Sequence, residues 1–81
     1  IAVRMFPENE TANLNAANTR LNAGDADGAK SYLDKAGKSP EALNARGVYE
    51  SLKGNDQQAR HYFGLAAKAG VKAAQENLEN L

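Results

Sequence analysis

The sequence predicts an all-α chain of about five antiparallel helices, and three observations carry that prediction. Alanine is abundant while β-branched residues are few and scattered, which favours helix because alanine loses no side-chain entropy there. Apolar residues recur in steps of three and four, as in Ala29, Leu33 and Ala36 and again in Ala59, Phe63 and Ala66, and no segment alternates like a strand. The chain also falls on itself when shifted by 30 residues. Gly24-Asp25 then meets Gly54-Asn55, Ala29 meets Ala59, Lys30 meets Arg60, Tyr32-Leu33 meets Tyr62-Phe63, and Ala36 meets Ala66. Upstream, Ala12 pairs with Ala42 and the small Ala17 with Gly47.

Each element follows from local punctuation. A first helix is expected over residues 10–22, ended at Ala23-Gly24, where glycine can take the left-handed conformation that stops a helix. Asp25 offers a side-chain oxygen as N-cap for a second helix from residue 26 to about 36. Gly37-Lys38-Ser39-Pro40 is a turn, with Ser39 as cap and Pro40 suited to the first helical position. A second unit runs over 41–53, Gly54-Asn55, and 56–69; Gly70 breaks it, and residues 71–80 form a closing helix. Connections this short make sequential helices antiparallel neighbours.

Each helix carries one apolar stripe, too narrow to be stable alone and wide enough to stack. In the last helix the stripe is Val71, Ala74, Leu78 and Leu81, surrounded by Gln75, Glu76, Asn77, Glu79 and Asn80. A polar outer face of this kind is what a solenoid's capping helix needs.

Together these residues resemble the tetratricopeptide repeat, a helix-turn-helix unit of 34 residues. Ala17 and Gly47 match its small residue mid-way along the first helix, and Gly24 and Gly54 its turn glycine. Ala29 and Ala59, Leu33 and Phe63, and Ala36 and Ala66 match its second helix, while Ala2 and Pro7 have the spacing of its last alanine and proline. The resemblance implies one domain over 1–81, stacked as a short right-handed TPR-like superhelix. Residues 1–7 would be the tail of a preceding repeat, 10–39 and 40–70 the two repeats, and 71–81 a C-terminal cap. Two departures stand out. The period of 30 makes the first unit's second helix or its turn about one helical turn short, and Asn13 and Leu43 stand where the family has a large aromatic. The stretch 62–78 also resembles the related Sel-like repeats, and helical-repeat tails in envelope proteins of Gram-negative bacteria are a weaker likeness.

Size and charge narrow the functional classes. A chain of 81 residues buries roughly 60% of the surface its unfolded form exposes. With no cysteine, stacked helices must supply the stability. Ten basic residues balance ten acidic ones, which argues against a nucleic-acid partner, since phosphate binding needs a concentrated positive field. No apolar run approaches the roughly 20 residues needed to span a bilayer, so membrane insertion by this segment is not expected. Residues 1–6 lack the charged leader and long apolar stretch of a secretory signal. A start inside an apolar segment is what a piece of a longer protein would show, and it leaves the compartment open.

Catalysis is not expected. His61 is the only histidine, its neighbour is Arg60, and no cysteine nucleophile exists. Asp25 and Asp27 flank a helix start, but Ala26, Gly28 and Ala29 break the alternating oxygen pattern of a calcium loop, so capping explains them better. No glycine cluster precedes a Lys-Ser or Lys-Thr pair. Neither a metal nor a cofactor is expected. Tyr32 and Tyr62 occupy one repeat position beside Leu33 and Phe63, which points to inter-helix packing.

The most distinctive surface feature is amide. Asn15, Asn18 and Asn22 step by three and four along the first helix and share one face. In the family that this chain resembles, first helices line the concave groove, where side-chain amides can bond an extended peptide backbone as donors and acceptors. Arg20 and Arg46, on the same class of helix, can pair with an acidic partner. The carboxylate clamp of some family members is not expected, because Leu14 stands where its Lys belongs and Ala45 where its second Asn belongs. The expected role is a non-catalytic module, monomeric in isolation, that binds a protein or peptide through Asn15, Asn18, Arg20, Asn22 and Arg46. The alternative is a structural spacer or assembly segment of a larger protein, with the bacterial cell envelope slightly favoured over cytoplasm.

Overall fold

Three glycine turns set the architecture. In the computed structural model, which describes residues 8–81, Gly24 and Gly54 have φ of 77° and 84°. At each turn the residue after the glycine donates its N–H to a carbonyl five residues back: Asp25 to Arg20 at 2.8 Å and Asn55 to Glu50 at 2.8 Å. The glycine itself bonds three residues back, Gly24 to Leu21 at 2.9 Å and Gly54 to Ser51 at 3.1 Å. This paired closure needs a left-handed residue, which only glycine adopts without steric cost. Gly70 repeats it, with Val71 N–H on the Ala66 carbonyl at 3.0 Å.

The described residues therefore form five helices and no strand: α1 (Glu8–Asn22), α2 (Ala26–Lys35), α3 (Pro40–Leu52), α4 (Asp56–Lys68) and α5 (Lys72–Glu79). Asp25 caps α2 as expected, its Oδ1 accepting from Gly28 N–H at 2.9 Å. Ser39 caps α3 through Ala42 N–H at 3.2 Å, with Pro40 in the first turn. Asn55, the counterpart of Asp25, makes no side-chain cap; its amide donates instead to Glu50 Oε1 at 2.8 Å. Boundaries differ from the expectation by a residue or two. Helix α1 starts at Glu8, and α2, α3 and α4 each stop one residue early because Ala36, Lys53 and Ala69 serve as C-caps. Leu81 lies beyond α5 and is exposed, so it does not continue the stripe of Val71, Ala74 and Leu78. Helix α2 has 10 residues against 13 for α4, so the short first unit is short in its second helix. The expectation for residues 1–7 lies outside the described residues.

Helices pair as α1 with α2 and α3 with α4, and α3 also rests on both α1 and α2. Helix α5 rests on α4 and α3 in the same manner, while α2 and α4 do not touch. This order gives an elongated slab of 41 × 27 × 15 Å. The stripes read from the sequence are the core: Ala29, Leu33 and Ala36 in α2 and Ala59, Phe63 and Ala66 in α4 are all buried. Ala17, Leu21, Ala29, Leu33 and Ala45 form one cluster, with Leu14, Tyr32, Val48 and Tyr49 packed against it. Gly47 is small for a reason: a Cβ there would run into the Phe63 ring. The expected packing role of Tyr32 agrees with this cluster, and Tyr62 is half-buried with its ring and that of His61 tilted 61° to one another at 5.7 Å.

Candidate interaction surface

Repeat equivalence separates residues that one helix face had joined. Asn15, Asn18 and Asn22 are all exposed on α1. Shifted by 30 residues, Asn18 corresponds to Val48 and Asn22 to Leu52, which line a cleft between α3 and α5. Asn15 corresponds instead to Ala45, which is 1% exposed and belongs to the core cluster formed with α1 and α2. By repeat equivalence Asn18 and Asn22 take the side of α1 that corresponds to the cleft side of α3. Asn15 is on the side by which a helix of this class stacks on the preceding unit, together with Ala12, Ala16 and Thr19, the counterparts of Ala42, Arg46 and Tyr49.

The cleft between α3 and α5 has a volume of about 160 Å³ and a divided lining. Val48, Leu52, Phe63 and Leu81 supply apolar surface; Ser51, Asn77 and Asn80 supply a hydroxyl and two amides. Leu52 and Leu81 are two of the three most exposed large apolar side chains among the described residues, at 45% and 39%. The cleft opens to solvent, so a leucine- or phenylalanine-sized side chain seated in it keeps one face exposed. On the same side, Asn77 Nδ2 donates to Asn44 Oδ1 at 3.1 Å and ties α5 to α3. One amide therefore spends a donor on holding the cleft together. Sequence reasoning singled out none of Val48, Leu52 and Asn44; the 30-residue shift that carries Asn18 onto Val48 and Asn22 onto Leu52 was the signal that would have found the first two.

The two arginines have intramolecular work. Arg20 Nη1 lies 3.4 Å from Asp25 Oδ2, bridging the end of α1 to the start of α2. Glu50 and Asn55 bridge the matching turn of the second unit with the polarity of the residues changed. Arg46 is half-buried and donates from Nη2 to the Leu33 carbonyl at 2.9 Å. It does not lie with the asparagines but lines a second cleft of about 300 Å³ between α2 and α3. Lys53, also lining it, donates to Asp27 Oδ1 at 2.9 Å, and that hydrogen bond, reinforced by the carboxylate's charge, holds its ammonium pKa above the ordinary lysine value. The five candidate residues accordingly occupy four places, and only Asn18 and Asn22 join the apolar cleft's side by repeat equivalence.

Among the described residues no three His, Cys, Asp or Glu side chains gather as a metal site would require, no helix is long and apolar enough to cross a membrane, and His61 is exposed. The chemistry available at the α3–α5 cleft is hydrogen bonding by uncharged amides and a hydroxyl beside apolar side chains. Comparison with known proteins found no matching family model, no matching curated protein and no matching solved structure.

Proposed function

We propose that the chain is a non-catalytic interaction module that binds an extended peptide segment along the side built from α1, α3 and α5. The observation that carries this reading is the α3–α5 cleft, where Val48, Leu52 and Phe63 floor a space rimmed by Ser51, Asn77 and Asn80. Such a combination offers one apolar anchor pocket and amides that can bond a peptide main chain. Asn18 and Asn22 extend the same side onto α1 by repeat equivalence. Selecting peptides from a random library on the immobilised protein, then mapping the bound surface by amide NMR shifts, tests it. Shifts should gather at Asn18, Asn22, Val48, Leu52 and Asn77, and Leu52→Asp should abolish binding. Selected peptides that leave Val48 and Leu52 unmoved would refute the assignment.

One observation favours a second reading, an assembly segment. The α1 face of Ala12, Asn15 and Thr19 is exposed, while in its α3 counterpart Ala42 is buried and Ala45 and Tyr49 pack in the cluster formed with α1 and α2. A further helical unit placed on α1 would reproduce an interface the molecule already contains. Sedimentation of a longer chain carrying one more unit before residue 8 separates the readings, since stacking predicts a rod and a merely tethered neighbour does not.

A further inference from the structure

We infer that the cleft between α2 and α3 is a second docking site, built for a partner helix that presents a carboxylate and a cation one turn apart. Because α2 and α4 do not touch, the surface of α3 between them stays open as the cleft floor. Among the described residues the ion pairs are Arg20–Asp25, Lys30–Asp34 and Lys53–Asp27. Both lysines of the cleft are therefore matched by carboxylates, and neither Arg46 nor Glu50 belongs to a pair. The two stand four residues apart on α3, the spacing at which helix side chains meet, yet each turns elsewhere. Arg46 is held by the neutral Leu33 carbonyl and Glu50 by the neutral Asn55 amide.

The result is a fixed dipole. A guanidinium with one Nη2 bond used keeps further donors for a bidentate carboxylate, and Glu50 keeps an oxygen for an amine. Half-buried Tyr49 lies between them in sequence and also lines the cleft. A partner helix with Glu and Lys at i and i+4 projects the complementary charges from Cβ atoms about 6 Å apart, the same one-turn spacing that separates Arg46 and Glu50 on α3. Charge complementarity at that spacing selects a helix over a single acidic side chain, which Glu50 would repel. The site shares no residue with the α3–α5 cleft, so either assignment can fail without the other.

The test is an amide NMR titration of the full chain with blocked alanine-based helical peptides bearing one Glu and one Lys four positions apart, in both orders. Amides of Arg46, Tyr49 and Glu50 should move with one order, and raising salt should weaken the response. Glu50→Gln keeps an acceptor for Asn55 and should leave the melting temperature unchanged while weakening binding about tenfold. Exchanging the charges, Arg46→Glu with Glu50→Arg, should transfer preference to the opposite order. Equal shifts from a peptide with Gln at both positions would overturn the proposal, as would undiminished binding by the Glu50→Gln chain. Glycine producing the same shifts would also overturn it, assigning the cleft to small zwitterions.

Discussion

Replacing Gly47 by alanine sets two effects of known size against each other. In a helix interior, alanine is favoured over glycine by about 1 kcal/mol, because glycine loses more backbone freedom on folding. At Gly47, however, the new methyl would run into the flank of the Phe63 ring, which is 2% exposed. Overpacking of this kind costs about 1–3 kcal/mol. The balance is a net destabilisation of about 0–2 kcal/mol, and 1 kcal/mol corresponds to a fall in Tm of roughly 4–8 °C in a domain of this size. Gly64 supplies the control. It lies inside α4 and a Cβ there meets nothing within 4 Å, so Gly64→Ala should stabilise by about 0.5–1 kcal/mol. Urea and thermal unfolding followed by circular dichroism would measure both. A double-mutant cycle with Phe63→Leu adds the decisive arm, since removing the ring should turn Gly47→Ala from costly to neutral or favourable. If Gly47→Ala raised Tm as much as Gly64→Ala does, the close approach of α3 and α4 at this point would be refuted.

Other perturbations probe separate parts of the fold. Asp25→Ala removes the α2 cap and should cost about 1 kcal/mol, read by urea unfolding, whereas Asn55→Ala should cost less because Asn55 makes no cap bond. Lys53 should titrate above an ordinary lysine in side-chain NMR and return towards the ordinary value in Asp27→Asn. Because its pKa is raised in the folded state, the stability from this contact is fully present below the unfolded pKa and is lost as pH rises through the folded one. Phe63→Ala should cost about 3–5 kcal/mol. Deleting residues 71–81 should cost several kcal/mol by baring the Phe63 side of the α3–α4 pair, and an unchanged melting temperature would contradict the packing of α5.

What the sequence disclosed and what it hid divide along a physical line. Caps and stops are local, so Asp25, Ser39, Pro40, Gly24, Gly54 and Gly70 could be read directly, and each acts as its residue type requires. Asn55 shows the limit: it has the right chemistry for a cap but its amide goes to Glu50, a competition that only the folded turn reveals. Helical period assigns a residue to a face of its own helix but says nothing about which neighbour covers that face. That is why Asn15 looked like a companion of Asn18 and Asn22, although its counterpart Ala45 is buried under a stacked unit. Long flexible side chains are less legible still. Arg20 and Arg46 read as free charges, yet one closes a turn and the other reaches the Leu33 carbonyl, contacts fixed by backbone geometry rather than by spacing.

Helix α3 is the only one among the described five that touches all the others. No contact runs from α1 or α2 to α4 or α5 except through it, so the molecule behaves as two leaves on a single spine. Cooperativity must be transmitted along that spine, as in a one-dimensional chain of nearest neighbours. Loosening α3 would uncouple the leaves at a stroke, whereas fraying the end of α5 would disturb only the leaf that it covers. Amide protons of α3 are consequently the ones whose exchange should report global unfolding, with those of α5 exchanging through local opening.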